Sequence, residues 1–132
     1  GRLPVAERGA SVLINRLGGL LWHMGKLEEA RPLYEEHMQG CKETLGDRHP
    51  DTLVSIAWMG GLLRDIGKLE EARPLLEKAV QASREALGDR HPHTLGSIGN
   101  MGVLLKQMGK LEEARPLLDD QRRVALVRLV HL

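Results

Sequence analysis

The sequence is poor in several features that a functional reading would use first. It has no Phe, one Tyr, two Trp and a single cysteine, Cys41. So few aromatics leave little to stack on nucleobases, and one cysteine excludes an internal disulfide and fits a reducing, cytoplasmic setting. Charge of one sign is lacking too: 19 Lys and Arg stand against 18 Asp and Glu, a net of +1, with the signs interleaved along the chain. That balance argues against nucleic acid, which calls for a basic stripe. No apolar run reaches the ~20 residues of a bilayer span, and the opening GRLPVAERGAS lacks the regions of a secretion signal. A soluble protein with neither a nucleic-acid nor a membrane partner is expected. An initiating Met is also missing and the chain enters a repeat partway, so it reads as a piece of a longer array, with Gly1 a cloning remnant.

What is present is internal repetition. The nonapeptide GKLEEARPL occurs at Gly25–Leu33, Gly67–Leu75 and Gly109–Leu117, each copy 42 residues after the last, and GDRHP recurs at the same spacing at Gly46–Pro50 and Gly88–Pro92. A fixed period of this length means a stacked repeat architecture. Within one period, Leu53, Ile56, Met59, Gly60, Leu63 and Ile66 follow helical spacing, which predicts a helix A over 51–66. Gly67 breaks it, and Leu69, Ala72, Leu75 or Leu76 and Ala79 carry a helix B to about Leu87, with Glu70 and Glu71 at its start, where the dipole favours acid. Gly88 suits a left-handed cap, and the next helix begins near the proline of the His-Pro pair. Small residues at Gly18 and Ala30, Gly60 and Ala72, Gly102 and Ala114 imply close approach within each helix pair. Pro32, Pro74 and Pro116 fall inside helix B and suggest a bend near its start.

The expected fold is all-α, a right-handed superhelical α-solenoid of three antiparallel A/B hairpins. It forms one repeat domain over 1–132, with repeats at about 4–45, 46–87 and 88–129 and an atypical last helix. HPDT at His49–Thr52, HPHT at His91–Thr94 and the three GKLEEARPL copies resemble the 42-residue, kinesin-light-chain-like class of tetratricopeptide repeats. The resemblance reaches to about Leu118 and implies a scaffold that holds a cargo peptide in a groove lined by helix A. The family usually carries Asn in mid-helix A, and this sequence keeps Asn15 and Asn100 near those places but has Ala57 and Trp58 in the middle repeat. Leu63, Leu69, Leu105 and Leu111 stand where the family has aromatics.

Differences between copies point to a binding face. Of the 31 aligned pairs between 46–76 and 88–118, 23 are identical and eight differ. Six of the eight, Val54, Ala57, Trp58, Gly61, Arg64 and Asp65, form a helical stripe of roughly 120° opposite the packing face. Drift on exposed positions is the plain alternative, but Lys68, Glu70, Glu71 and Arg73 also read as exposed and do not vary. The expected peptide-binding residues are Asn15, Arg16, Trp22, His23, Val54, Trp58, Arg64, Asp65, Asn100, Val103, Lys106 and Gln107. Val12 belongs to the same face, and the glycines Gly19, Gly61, Gly96 and Gly99 leave a ligand room to approach the helix backbone. Arg16, Arg64 and Lys106 against Asp65 make the face mildly basic, so an acidic peptide with an apolar anchor is expected, the two Trp offering amphipathic surfaces and the Asn side chains gripping a backbone.

Catalytic readings are weak. His91 and His93 beside Asp89 invite a metal, but no fourth ligand is fixed by spacing. Cys41 and His37 lie four residues apart with no third group to orient a base. No phosphate-cradling glycine motif is present, so neither an enzyme nor a cofactor is expected. After Leu118 the repeat dissolves into an apolar segment, in which Val124, Val127, Leu129 and Val130 suggest self-association, so a homo-oligomer is the second reading.

Overall fold

A computed structural model describes residues 5–130 of the 132-residue chain, with side chains described for 14–123 and for Leu126. These residues form six helices: α1 (Val5–His23), α2 (Leu27–Leu45), α3 (Pro50–Ile66), α4 (Leu69–Leu87), α5 (Pro92–Gln107) and α6 (Leu111–Val130). No strand occurs among them. Each helix packs on the next, and α3 also touches α5, so the A/B pairs stack into an α-solenoid.

The punctuation of the repeat sets the helix ends. Pro50 and Pro92 open α3 and α5, where a missing N–H costs nothing. The histidine before each proline is the cap: His49 Nδ1 accepts from the Asp51 N–H at 3.1 Å, and His91 Nδ1 from the His93 N–H at 3.2 Å. Gly67 closes α3 in the left-handed conformation, φ 99° and ψ 4°, donating to the Leu63 and Arg64 carbonyls. Gly88 departs from the expected left-handed cap. Its φ is 89° but its ψ is 163°, which sends the chain outward in an extended direction towards His91. The helix-B prolines do not end their helices; Pro32, Pro74 and Pro116 all lie within continuous helix. Each is exposed, so the carbonyl deprived of its donor is placed to meet water.

One apolar cluster runs through all three pairs, from Ala30 and Tyr34 through Met59, Leu62, Ala72 and Leu76 to Leu104 and Ala114. Burying a side chain of this size stabilises by ~1.5–3 kcal/mol. The small positions work as the sequence implied: a Cβ on Gly60 would lie 2.6 Å from Leu76 Cδ2, one on Gly102 2.6 Å from Leu118 Cδ2, and one on Gly18 2.9 Å from the Tyr34 ring. Polar seams join successive repeats. Thr52 Oγ1 donates to the Cys41 carbonyl at 3.2 Å across the α2–α3 joint, and on the outer face Arg31 pairs with Glu71 at 3.8 Å and Arg73 with Glu113 at 3.2 Å. No described helix is long and apolar enough to cross a membrane.

Candidate functional site

Helices α1, α3 and α5 are linked side by side through their variable residues. Trp22 of α1 donates from Nε1 to Asp65 Oδ2 at 2.7 Å. Arg64, next to Asp65, donates from Nε and Nη2 to Asp65 Oδ1 at 3.3 and 3.2 Å. Its Nη1 reaches Asn100 Oδ1 of α5 at 3.4 Å. Four of the residues expected to line a groove therefore form a single hydrogen-bonded chain across all three A helices. Arg64 is only 16% exposed and Asp65 32%, so the carboxylate neutralises much of the basic character that the sequence assigned to this face. Lys106 and Arg16 remain exposed cations.

A second group surrounds Tyr34 of α2. Its ring meets Trp22 edge-on with centroids 5.5 Å apart and Trp58 edge-on at 6.2 Å, and Trp58 stacks on His37 at 6.2 Å. Both tryptophans are half-buried and pack against the core, so neither is a freely projecting anchor. Tyr34 stands where the other copies have Leu76 and Leu118, and that break in the repeat is the signal in the sequence that could have marked it. Burial pushes the Tyr34 hydroxyl and the Cys41 thiol up and His37 down. Cys41 Sγ lies 3.9 Å from His37 Nε2, but those opposed directions favour a neutral thiol beside a neutral imidazole, the reverse of an activated nucleophile.

Between α3 and α5 the face opens into a pocket of about 130 Å³. Val54, Ala57 and Trp58 form one wall and Gly96 and Asn100 the other, with Leu53, Ser83 and Ser97 beneath and Pro92 and His93 at one end. The Ser83 hydroxyl is buried and has no hydrogen-bond partner in the structure. Ser83 was not legible as a site residue, because it belongs to helix B, and His93 stands out in the sequence only as a metal candidate beside His91 and Asp89, not as part of a binding face. Two wider depressions are present, one of about 330 Å³ between the Gly25–Glu29 turn and Asp65 with Ile66, and one of about 450 Å³ away from this face. The larger is edged by Lys78 with Asp47 and Arg48 with Glu85, charges that pair with each other at 4.0 and 3.5 Å.

The remaining expected residues are dispersed. Asn15 is half-buried on α1, Arg16 and His23 are exposed there, and Val103, Lys106 and Gln107 are exposed on α5; among the described residues none of them joins the hydrogen-bonded chain or lines the pocket. The side chains of Val12 and of the self-association residues Val124, Val127, Leu129 and Val130 lie outside those described. The glycines correct the expectation of an open backbone. A Cβ on Gly61 would meet Trp22 at 3.3 Å, one on Gly99 would meet the Gln121 amide at 2.6 Å, and one on Gly19 would touch the Tyr34 hydroxyl at 3.7 Å; only Gly96 of the four has open space. Side chains from neighbouring helices fill the room at Gly61 and Gly99, whereas at Gly19 the Tyr34 hydroxyl makes only ordinary contact.

Models of the tetratricopeptide repeat match residues 53–124 and 12–51. No curated protein matches the chain. Among solved structures, a protein of Podosopora anserina described as a kinesin light chain with nearly identical TPR-like repeats superposes with a TM-score of 0.79 at 26% identity, over 94% of this chain and 57% of that one. A single-substitution variant of it gives 0.82 at 25% identity over 93% and 57%. BtubC (BKLC) from P. vanneervenii shares the fold at 16% identity, with a TM-score of 0.79 over 89% of this chain and 47% of that one. The chain thus spans about half the length of these structures. Stacked 42-residue hairpins, the family matches and these neighbours lead to one conclusion: the chain belongs to the tetratricopeptide-repeat family, in its kinesin-light-chain-like form, a scaffold fold for protein–protein contacts.

Proposed function

We propose that the chain binds an extended segment of another polypeptide along the helix-A face, and that an apolar side chain of that segment sits between α3 and α5. The observation that carries this is the pocket edged by Val54, Ala57, Trp58 and Gly96, which has room for a single aliphatic side chain and an unpartnered Ser83 hydroxyl at its base. Pockets that combine apolar walls with a few polar groups favour ligands that complement both. Asn100 stands at the rim with its carbonyl oxygen engaged by Arg64, which leaves its amide NH₂ to donate to a ligand backbone carbonyl. Any acidic preference rests on exposed Lys106 and Arg16, since Asp65 already holds Arg64. Trp22 and Trp58 shape the groove from within.

The test is a peptide library selected on the wild-type chain and re-measured on Gly96→Leu. A Cβ at Gly96 meets nothing within 4 Å, so the fold is expected to persist while the new side chain fills the pocket. Affinity should fall at least about tenfold, a loss of ~1.4 kcal/mol. Undiminished binding by a folded variant would reject the pocket as the anchor site.

A further inference from the structure

We infer that the side chain seated between α3 and α5 carries a hydroxyl beside its apolar part, as threonine does, and that Ser83 is the residue that selects it. Selection of this kind rests on the groove reading above and adds the chemistry of the anchor. Three differences between copies meet at the pocket. Gly96 and Asn100 stand where α3 has Val54 and Trp58, and Ser83 stands where α2 has Cys41. The first takes a side chain out of the wall, and a Cβ there would meet nothing within 4 Å. The second puts an amide in place of an indole, and the third puts a hydroxyl at the floor in place of a thiol. A buried thiol behaves as a small hydrophobe, whereas a buried hydroxyl without a partner keeps the full penalty of its lost hydration.

Ser83 is 1% exposed and its Oγ has no partner. The joint around it is short of a second bond. Thr52 Oγ1 donates to the Cys41 carbonyl where α3 meets α2, but its counterpart Thr94 on α5 is buried with its hydroxyl also unpartnered. Two orphaned hydroxyls therefore lie at the α4–α5 joint, and Ser83 borders the cavity. At the rim, beside exposed His93 and half-buried Asn100, water competes with any ligand group. At the floor it does not: the Ser83 hydroxyl is desolvated in the free chain, so a ligand that meets it gains a hydrogen bond without stripping that side. No Lys or Arg lines the cavity, so a carboxylate would be buried there without a counter-charge. Threonine fits both surfaces, with its methyl against Val54 and Ala57 and its hydroxyl free to donate to or accept from Ser83. Valine has the same shape but leaves Ser83 unpaired, the kind of difference that a polar site rejects.

A random peptide library selected on the wild-type chain supplies the probe, and the anchor is the peptide position whose preference disappears on Gly96→Leu. Thr or Ser should be enriched there. In titration calorimetry, replacing that Thr by Val in the tightest selected peptide should weaken binding to wild type by about five- to tenfold, the size of one hydrogen bond. The same replacement should change binding to Ser83→Ala by less than about twofold, and replacement by Asp should weaken binding to both proteins. The thermal midpoint of the free Ser83→Ala chain should equal or exceed that of wild type, because loss of a buried hydroxyl that had a partner would lower it. A Val peptide that binds wild type as tightly as the Thr peptide, or a lowered midpoint in Ser83→Ala, overturns the role of Ser83 and leaves the pocket standing as an anchor site. Binding indifferent to Gly96→Leu removes the pocket itself, and the selection with it.

Discussion

A Cβ placed on Gly60 would lie 2.6 Å from Leu76 Cδ2 and 2.8 Å from its Cγ, whereas one placed on Gly40 would meet nothing within 4 Å. Both glycines are inside helices, so the same substitution has opposite signs. Gly40→Ala should raise stability by about 0.5–1 kcal/mol through helix propensity. Gly60→Ala should lower it by about 1–3 kcal/mol, because the α3–α4 contact has to spread; chemical denaturation of both variants checks the pair. His37 supplies a pH effect. Burial lowers it from its ordinary value of 6.5, so the unfolded chain takes up the proton near pH 6.5 and the folded chain resists it. Stability from this residue is therefore level above pH 6.5 and falls as the pH drops below that value towards the folded pKa. His37→Leu should flatten the slope of the unfolding midpoint between pH 7 and 5 relative to wild type.

At the scale of single elements, α3 and α5 start on histidine caps and not on the Ser, Thr, Asp or Asn that usually fill that role. His91→Ala should cost α5 about 0.5–2 kcal/mol and His91→Asp much less, measured by thermal unfolding. Helix ends were legible in the sequence because Gly67, Pro50 and Pro92 act locally: a residue that favours positive φ or lacks an N–H stops or starts a helix whatever surrounds it. The cap itself was not legible, since His-Pro shows where a helix starts but not that the Nδ1 lone pair turns back to the N–H two residues on. Gly88 shows the same limit. Its positive φ could be foreseen, but its ψ of 163° depends on where the next helix must dock.

Across the whole molecule, Leu20, Leu62 and Leu104 occupy one position of the repeat, yet only Leu20 is open to solvent. Leu62→Ala and Leu104→Ala should each cost about 2–5 kcal/mol, and Leu20→Ala less than about 1 kcal/mol at concentrations where the chain is monomeric. Because the core is continuous, the two interior variants are expected to unfold in one transition; equal costs at all three sites would contradict the burial pattern.

The period, the helix pairs and the close contacts at Gly18, Gly60 and Gly102 were determined by the sequence alone, because identical hairpins repeated every 42 residues can hide their apolar stripes only by stacking. What the variable stripe does was decided only by the tertiary structure. Comparing copies shows that Gly61, Asp65, Arg64 and Gly99 change, but not that Trp22 lies over Gly61 and bonds to Asp65, that Arg64 reaches Asn100, or that Gln121 fills the space at Gly99. Those partners sit on neighbouring helices, so part of the variation reflects how each joint is packed, while the portion around Val54, Ala57 and Gly96 opens as a pocket between α3 and α5. Burial belongs to the assembled stack: the same position is core at Leu62 and Leu104, where a helix B precedes, and open at Leu20 of α1.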